Sequence, residues 1–70
     1  MPGAVAAGIV RYLVGAPHCW WSVRRICAVL PHTEAAIQAV LELFWRQGRL
    51  RRKRGPGGEY EYQVRFVERA

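Results

Sequence analysis

Eight cations fall into two groups that could act on an anion: the pair Arg24 and Arg25, and the set Arg46, Arg49, Arg51, Arg52, Lys53 and Arg54. Guanidinium and ammonium groups at this density neutralise phosphates and release counterions, so binding through them depends strongly on salt and carries little sequence information. The whole chain points the same way, with eleven Lys and Arg against five Asp and Glu and a formal net charge of +6. A pI near 10.4 favours polyanionic partners such as nucleic acid. The same residues could also form a solvated basic face, with Arg51 and Lys53 doing no more than pairing with glutamates on a neighbouring strand. The run Arg51–Arg54 has the composition of a nuclear localisation signal, but its place in an expected strand favours a structural or phosphate-binding use.

Other chemistry is poorly supplied. His18, Cys19, Cys27 and His32 are the candidate metal ligands; their spacing matches no zinc pattern, and Cys27 falls on an apolar helical stripe. No acid pair at useful spacing and no activated nucleophile is visible, so an enzyme is not expected, nor is a cofactor or a small-molecule ligand. Two cysteines are too few for a disulfide scaffold, and with no secretory segment expected ahead of them a reducing, cytoplasmic setting follows. The apolar run Ala4–Val14 lacks a basic lead, is interrupted by Arg11 and is too short to span a bilayer, so no membrane partner is expected.

The elements that must position these cations follow from periodicity. Seventy residues, 51% of them hydrophobic, allow one small domain that buries about 60% of its unfolded surface. The opening MPGAVAAG is expected to fray at its start. Ile9, Val10 and Leu13, with Ala6 behind them, fit a first helix over about residues 4–14, ending near Gly15 and Pro17. His18–Trp21 follows as an extended link in which one Trp ring enters the core and the other lies across the surface, and a short strand at Cys19–Trp21 is allowed. Ser22 occupies an N-cap position for a second helix over about 23–30, whose stripe is Val23, Ile26, Cys27 and Leu30 and which Pro31 stops. Arg24 and Arg25 then lie in its first turn, where the helix dipole disfavours positive charge; they either face phosphates or are simply solvated. A third helix over about 34–47 starts from the Thr33 cap, ends at Gly48, and carries Ile37, Val40, Leu41 and Phe44 on one face.

After Gly48 the period changes from 3.6 to 2. Tyr60, Tyr62, Val64 and Phe66 alternate with Glu59, Glu61, Gln63 and Arg65, the pattern of a half-buried strand over about 59–67. A partner strand over about 49–53 holds one apolar residue, Leu50. Pairing Leu50 with Tyr62 would set Arg51 opposite Glu61 and Lys53 opposite Glu59, leaving Arg54–Gly58 as a five-residue loop with Arg54 at the hairpin tip.

Helix, short strand, helix, helix, hairpin, over Trp21–Val64 in particular, resembles the winged helix-turn-helix family. Ile37, Leu41, Phe44, Gly48 and Leu50 fall on its marker positions, and the resemblance covers about Ile9–Val67, nearly the whole chain. It implies an α+β fold of three helices plus a C-terminal two-stranded β-hairpin wing, with the third helix in the DNA major groove and the wing along the backbone or in the minor groove. Carried over by position, the groove-facing residues are Thr33, Glu34, Ala35, Gln38, Ala39 and Glu42, with Arg46 at the far end. Gln38 could pair with adenine, and Ala35 or Thr33 could touch a thymine methyl. The expected role is a small bacterial, plasmid or phage transcriptional regulator, cytoplasmic and nucleoid-associated, that binds double-stranded DNA. As one such domain recognises few base pairs, a homodimer or binding at adjacent sites is expected. The first competing reading is a winged-helix protein-interaction module using Ala35, Ala36, Ala39 and Leu43, a patch that Trp45 and one of Trp20 or Trp21 could extend; the second is a shape-reading binder of RNA or altered duplexes.

Overall fold

The computed structural model describes residues 2–65. They form an α+β domain of three helices and a three-stranded antiparallel sheet, in the order α1 (Pro2–Gly15), β1 (Trp21–Ser22), α2 (Val23–Val29), α3 (Glu34–Arg46), β2 (Leu50–Arg54) and β3 (Tyr60–Val64). The sheet order is β1-β3-β2. A two-stranded hairpin was the expectation, with at most a short strand at Cys19–Trp21. In the structure a true third strand forms at Trp21–Ser22, sharing only Trp21 with the expected segment, and it pairs Trp21 with Tyr62 and Ser22 with Glu61. Pairing satisfies backbone groups on the free edge of β3 that would otherwise be left to solvent.

The helix ends are set by local chemistry. Ser22 Oγ accepts from the Arg25 N–H at 3.1 Å and caps α2, while Thr33 Oγ1 accepts from the Ala36 N–H at 3.2 Å and caps α3. Helix α3 closes in a Schellman turn. Gly48 sits at φ +78°, its N–H donates to the Trp45 carbonyl at 3.0 Å, and the Arg49 N–H donates to the Phe44 carbonyl at 2.9 Å. Helix α1 begins at Pro2, ahead of the expected start near residue 4, because proline at the first helical position lacks an N–H that would have no partner there anyway.

One core joins all three helices to the sheet: Ile9 and Leu13 from α1, Ile26 from α2, Ile37, Leu41 and Phe44 from α3, Leu50 from β2 and Tyr62 from β3. Each fully buried apolar side chain of this kind contributes about 1.5–3 kcal/mol relative to exposure. Val23, Cys27, Leu30, Val40, Tyr60 and Val64 pack around it, as does Trp21. Val10 does not belong to this core; it is 41% exposed, since Ile9 and Leu13, four apart, define the buried line and Val10 is rotated about 100° from Ile9.

The hairpin register also differs from the expectation by two residues. Leu50 pairs with Val64, Arg51 with Gln63, Arg52 with Tyr62, Lys53 with Glu61 and Arg54 with Tyr60. The turn decides this. Pro56 follows Gly55 in a β-turn closed by the Gly58 N–H donating to the Gly55 carbonyl at 3.0 Å, Gly58 takes φ +89°, and the Gly55 N–H donates to the Glu59 carbonyl at 2.7 Å. Arg54 is therefore the last residue of β2 and not part of the loop. A shift of two keeps every side chain on its expected face but changes its partner. Of the expected strand over 59–67, Phe66 and Val67 lie outside the described residues.

Tyr62 is fully buried, and its hydroxyl oxygen accepts from Gln38 Nε2 at 3.1 Å, tying the sheet to α3. Tyr62→Phe and Gln38→Ala should each destabilise the domain, by about 1 and about 1–3 kcal/mol respectively, the larger cost following from an unpaired buried hydroxyl. A double-mutant cycle in urea should give a coupling of about 1 kcal/mol; strict additivity would show that the bond contributes nothing. Gly48→Ala meets no atom within 4 Å, so its cost is conformational: about 1–2 kcal/mol for a left-handed residue with a Cβ, read as a fall in Tm of about 5–10 °C.

Candidate nucleic-acid interface

The cations that stood together in the sequence are divided by the fold. Alternation places Arg52 and Arg54 on the same face of the sheet as Tyr60 and Tyr62, and Arg51 and Lys53 on the other. On the first face the Arg52 guanidinium lies 3.5 Å from the ring centroid of Trp45 and 4.0 Å from that of Tyr60. Arg54 lies 4.7 Å from the Tyr60 centroid, and its Nη atoms donate to the Tyr60 hydroxyl and the Gly58 carbonyl, each at 3.0 Å. Trp45, Arg52, Tyr60 and Arg54 thus form one continuous cation-π assembly spanning α3, β2 and β3. Such contacts contribute about 0.5–1 kcal/mol each at exposed positions.

On the opposite face Lys53 Nζ lies 4.5 Å from the Trp20 ring centroid. The expected pairs Arg51–Glu61 and Lys53–Glu59 do not form, since the register sets Arg51 against Gln63 and Lys53 against Glu61. Even the Lys53–Glu61 neighbours make no ion pair: Lys53 is drawn to Trp20, while the Glu61 carboxylate rests close to Gly55, 2.8 Å from where a Cβ would stand. Among the described residues the one salt bridge is Arg46–Glu42, 3.1 Å and exposed, one helical turn apart on α3.

The remaining candidates fall in three places. Arg24 joins Ser22, Ala35, Gln38 and Tyr60 around a cleft of about 400 Å³ between α2, the start of α3 and the hairpin, and Glu34 and Glu59 line the same cleft. Arg25 is held by the link before it: its guanidinium donates to the Trp20 carbonyl at 3.3 Å and lies 4.7 Å from the Trp21 centroid. These contacts account for a cation in the first turn of α2, where the dipole alone would disfavour it. Arg49 lies 5.5 Å from the Phe44 ring and lines a groove with Val10 and Val14 of α1, away from the cleft.

The outer side of α3 is pale. Ala35, Ala39 and Leu43 are exposed, Leu43 at 51%. Thr33 spends its hydroxyl on the α3 cap, and Gln38 is half-buried with its amide committed to Tyr62. Electrostatically, the cleft at the start of α3 carries two carboxylates against one guanidinium, whereas the Arg52–Arg54 surface carries cations backed by aromatic rings. An anion is attracted to the second place more than to the first.

Trp20, Trp45 and Tyr60 were not among the residues expected to bind nucleic acid, Trp45 and one of Trp20 or Trp21 being expected only as extensions of a protein-interaction patch, yet each holds a cation. The signal was present for Tyr60, which shares strand parity with Arg52 and Arg54. Trp45 and Trp20 could not be found that way, because their contacts join separate elements. Cys27, by contrast, sits beside the core with its Sγ donating to the His32 carbonyl at 3.2 Å, and among the described residues no three His, Cys, Asp or Glu side chains converge on a point that could hold a metal ion. No helix among the described residues is long and apolar enough to cross a membrane. In comparisons with known proteins the chain matches no family model and shows no significant similarity to a curated protein or to a solved structure.

Proposed function

We propose that the chain is a winged helix-turn-helix DNA-binding protein, with α2 and α3 as the helix-turn-helix and the β2–β3 hairpin as the wing, acting as a small nucleoid-associated transcriptional regulator. The observation that supports this best is the row of hairpin cations, Arg51 to Arg54, none of which is paired with a carboxylate among the described residues. Like charges gathered on one hairpin repel one another, and a polyanion covering them replaces that repulsion with attraction. In this reading the wing supplies most of the affinity through phosphates, and the start of α3, with its carboxylates and its committed Gln38, supplies little base readout. Specificity then rests on two domains binding side by side or as a homodimer.

A second reading is favoured by one observation, the exposed Ala35, Ala39 and Leu43 strip, whose character suits packing against a partner protein.

Titration against mixed-sequence duplex DNA separates the two. Binding at about 50 mM salt with micromolar protein, weakening steeply as salt rises, is expected for the DNA reading, and its absence would overturn that reading in favour of the α3 strip. The double substitution Arg52→Ala plus Arg54→Ala should weaken binding to all sequences alike and lower the slope of log affinity against log salt by about 2. Gln38→Ala, compared at a temperature where it remains folded, should change sequence preference by less than about threefold. A larger change would mean that α3 reads bases after all.

A further inference from the structure

We propose that Arg52 is an oriented phosphate fork, a site for one backbone phosphodiester of duplex DNA built by Trp45 and Tyr60. The inference rests on the DNA-binding reading above and names the residue on which it turns. A free arginine on a surface strand samples many rotamers and loses that freedom on binding. Arg52 is only half exposed, and its guanidinium lies close over two rings supplied by different elements, Trp45 near the end of α3 and Tyr60 at the start of β3. Aromatic contact takes up the flat faces of a guanidinium. The edge carrying its N–H donors is what remains for a ligand, and that edge matches two oxygens of one phosphate.

Three further observations narrow the ligand. No carboxylate within salt-bridge distance competes for Arg52 among the described residues. Arg54, two residues along the same strand face, shares the Tyr60 ring and places a second cation beside the first, as a repeating polyanion requires and a single carboxylate does not. The same contacts also disfavour unstacked bases as ligands: cations already cover surface of Trp45 and Tyr60 that a base would need for stacking. A guanidinium whose centre lies within 4.0 Å of two ring centroids would have to give up both contacts to extend into a groove and reach a base edge, so the geometry favours a ligand group that comes to the surface, as a backbone phosphate does.

The test compares the full chain with Arg52→Lys, Arg51→Lys and Trp45→Ala on a 20-base-pair duplex, prepared once GC-rich and once AT-rich, and on single-stranded oligo-dT of the same length. Anisotropy of the labelled nucleic acid reports binding at about 100 mM salt, and circular dichroism establishes that each variant is folded. Arg52→Lys keeps the charge and loses the fork, so duplex affinity should fall about tenfold, equally on both sequences, with the salt slope unchanged. Arg51→Lys also keeps the charge of a wing cation, but one that rests on no ring among the described residues, so it should weaken binding measurably less, by about two- to threefold. Trp45→Ala, which keeps Arg52 and frees it to move, should also weaken duplex binding by several-fold, and it carries the test if Arg52→Lys does not fold. Wild-type affinity for Arg52→Lys, an equal loss at Arg51, a loss confined to one duplex, or tighter binding to oligo-dT than to duplex would each overturn the fork while leaving DNA binding itself intact. Failure of the wild type to bind either duplex would overturn the DNA-binding reading as a whole.

Discussion

Tyr62 is a phenol with no exposed surface, in the middle strand of three, and its hydroxyl must find its partner inside the protein. Gln38 supplies it from α3, 24 residues away in sequence. Around that bond the domain is assembled: Trp21 of β1 pairs with Tyr62 on one side and Arg52 of β2 on the other, while Tyr62 belongs to the one buried cluster that draws on all three helices and on β2. The strand is thereby fixed against the helices, and the direction in which every hairpin side chain projects is fixed with it. The consequence for α3 is that the amide of Gln38 is turned to structural use.

The second constraint is electrostatic. A +6 chain of 70 residues has too few carboxylates to neutralise its cations, and among the described residues only Arg46 finds one at ion-pair distance. Aromatic rings serve in their place: Trp21 under Arg25, Trp45 and Tyr60 under Arg52, Tyr60 under Arg54, Trp20 under Lys53. A ring steadies a cation without cancelling its charge. A carboxylate would steady it more and remove its field, so the aromatic solution leaves a surface that is ordered and still strongly positive.

Much of this architecture is readable in the residues themselves. Caps at Ser22 and Thr33, the stop at Gly48 and the helical stripes are local statements, settled within a few residues by hydrogen bonding and by 3.6-residue periodicity, and the structure places them where that chemistry puts them, Val10 of the first stripe excepted. The hairpin shows where locality ends. Strand alternation correctly gave the faces of Leu50, Tyr60, Tyr62 and Val64, but charge matching between Arg51, Lys53 and two glutamates was a poor guide to register. Exposed ion pairs contribute at most about 1 kcal/mol, less than the turn geometry at Gly55–Gly58 and the burial of apolar partners impose.

The cations themselves, their number and their concentration between Arg46 and Arg54 are properties of the sequence alone. Which of them stand together is not. Trp45 reaches Arg52, Trp20 reaches Lys53 and Gln38 reaches Tyr62 only because α3, the extended link and the hairpin are packed on one core. No spacing rule connects such residues, since their separation in the chain is set by loop lengths and their separation in space by packing. Residue types and their spacing make this a small basic α+β domain with an arginine-rich hairpin; packing on the common core sets Arg52 and Arg54 on aromatic rings and commits the half-buried Gln38 to Tyr62, because those contacts join elements that no local rule connects.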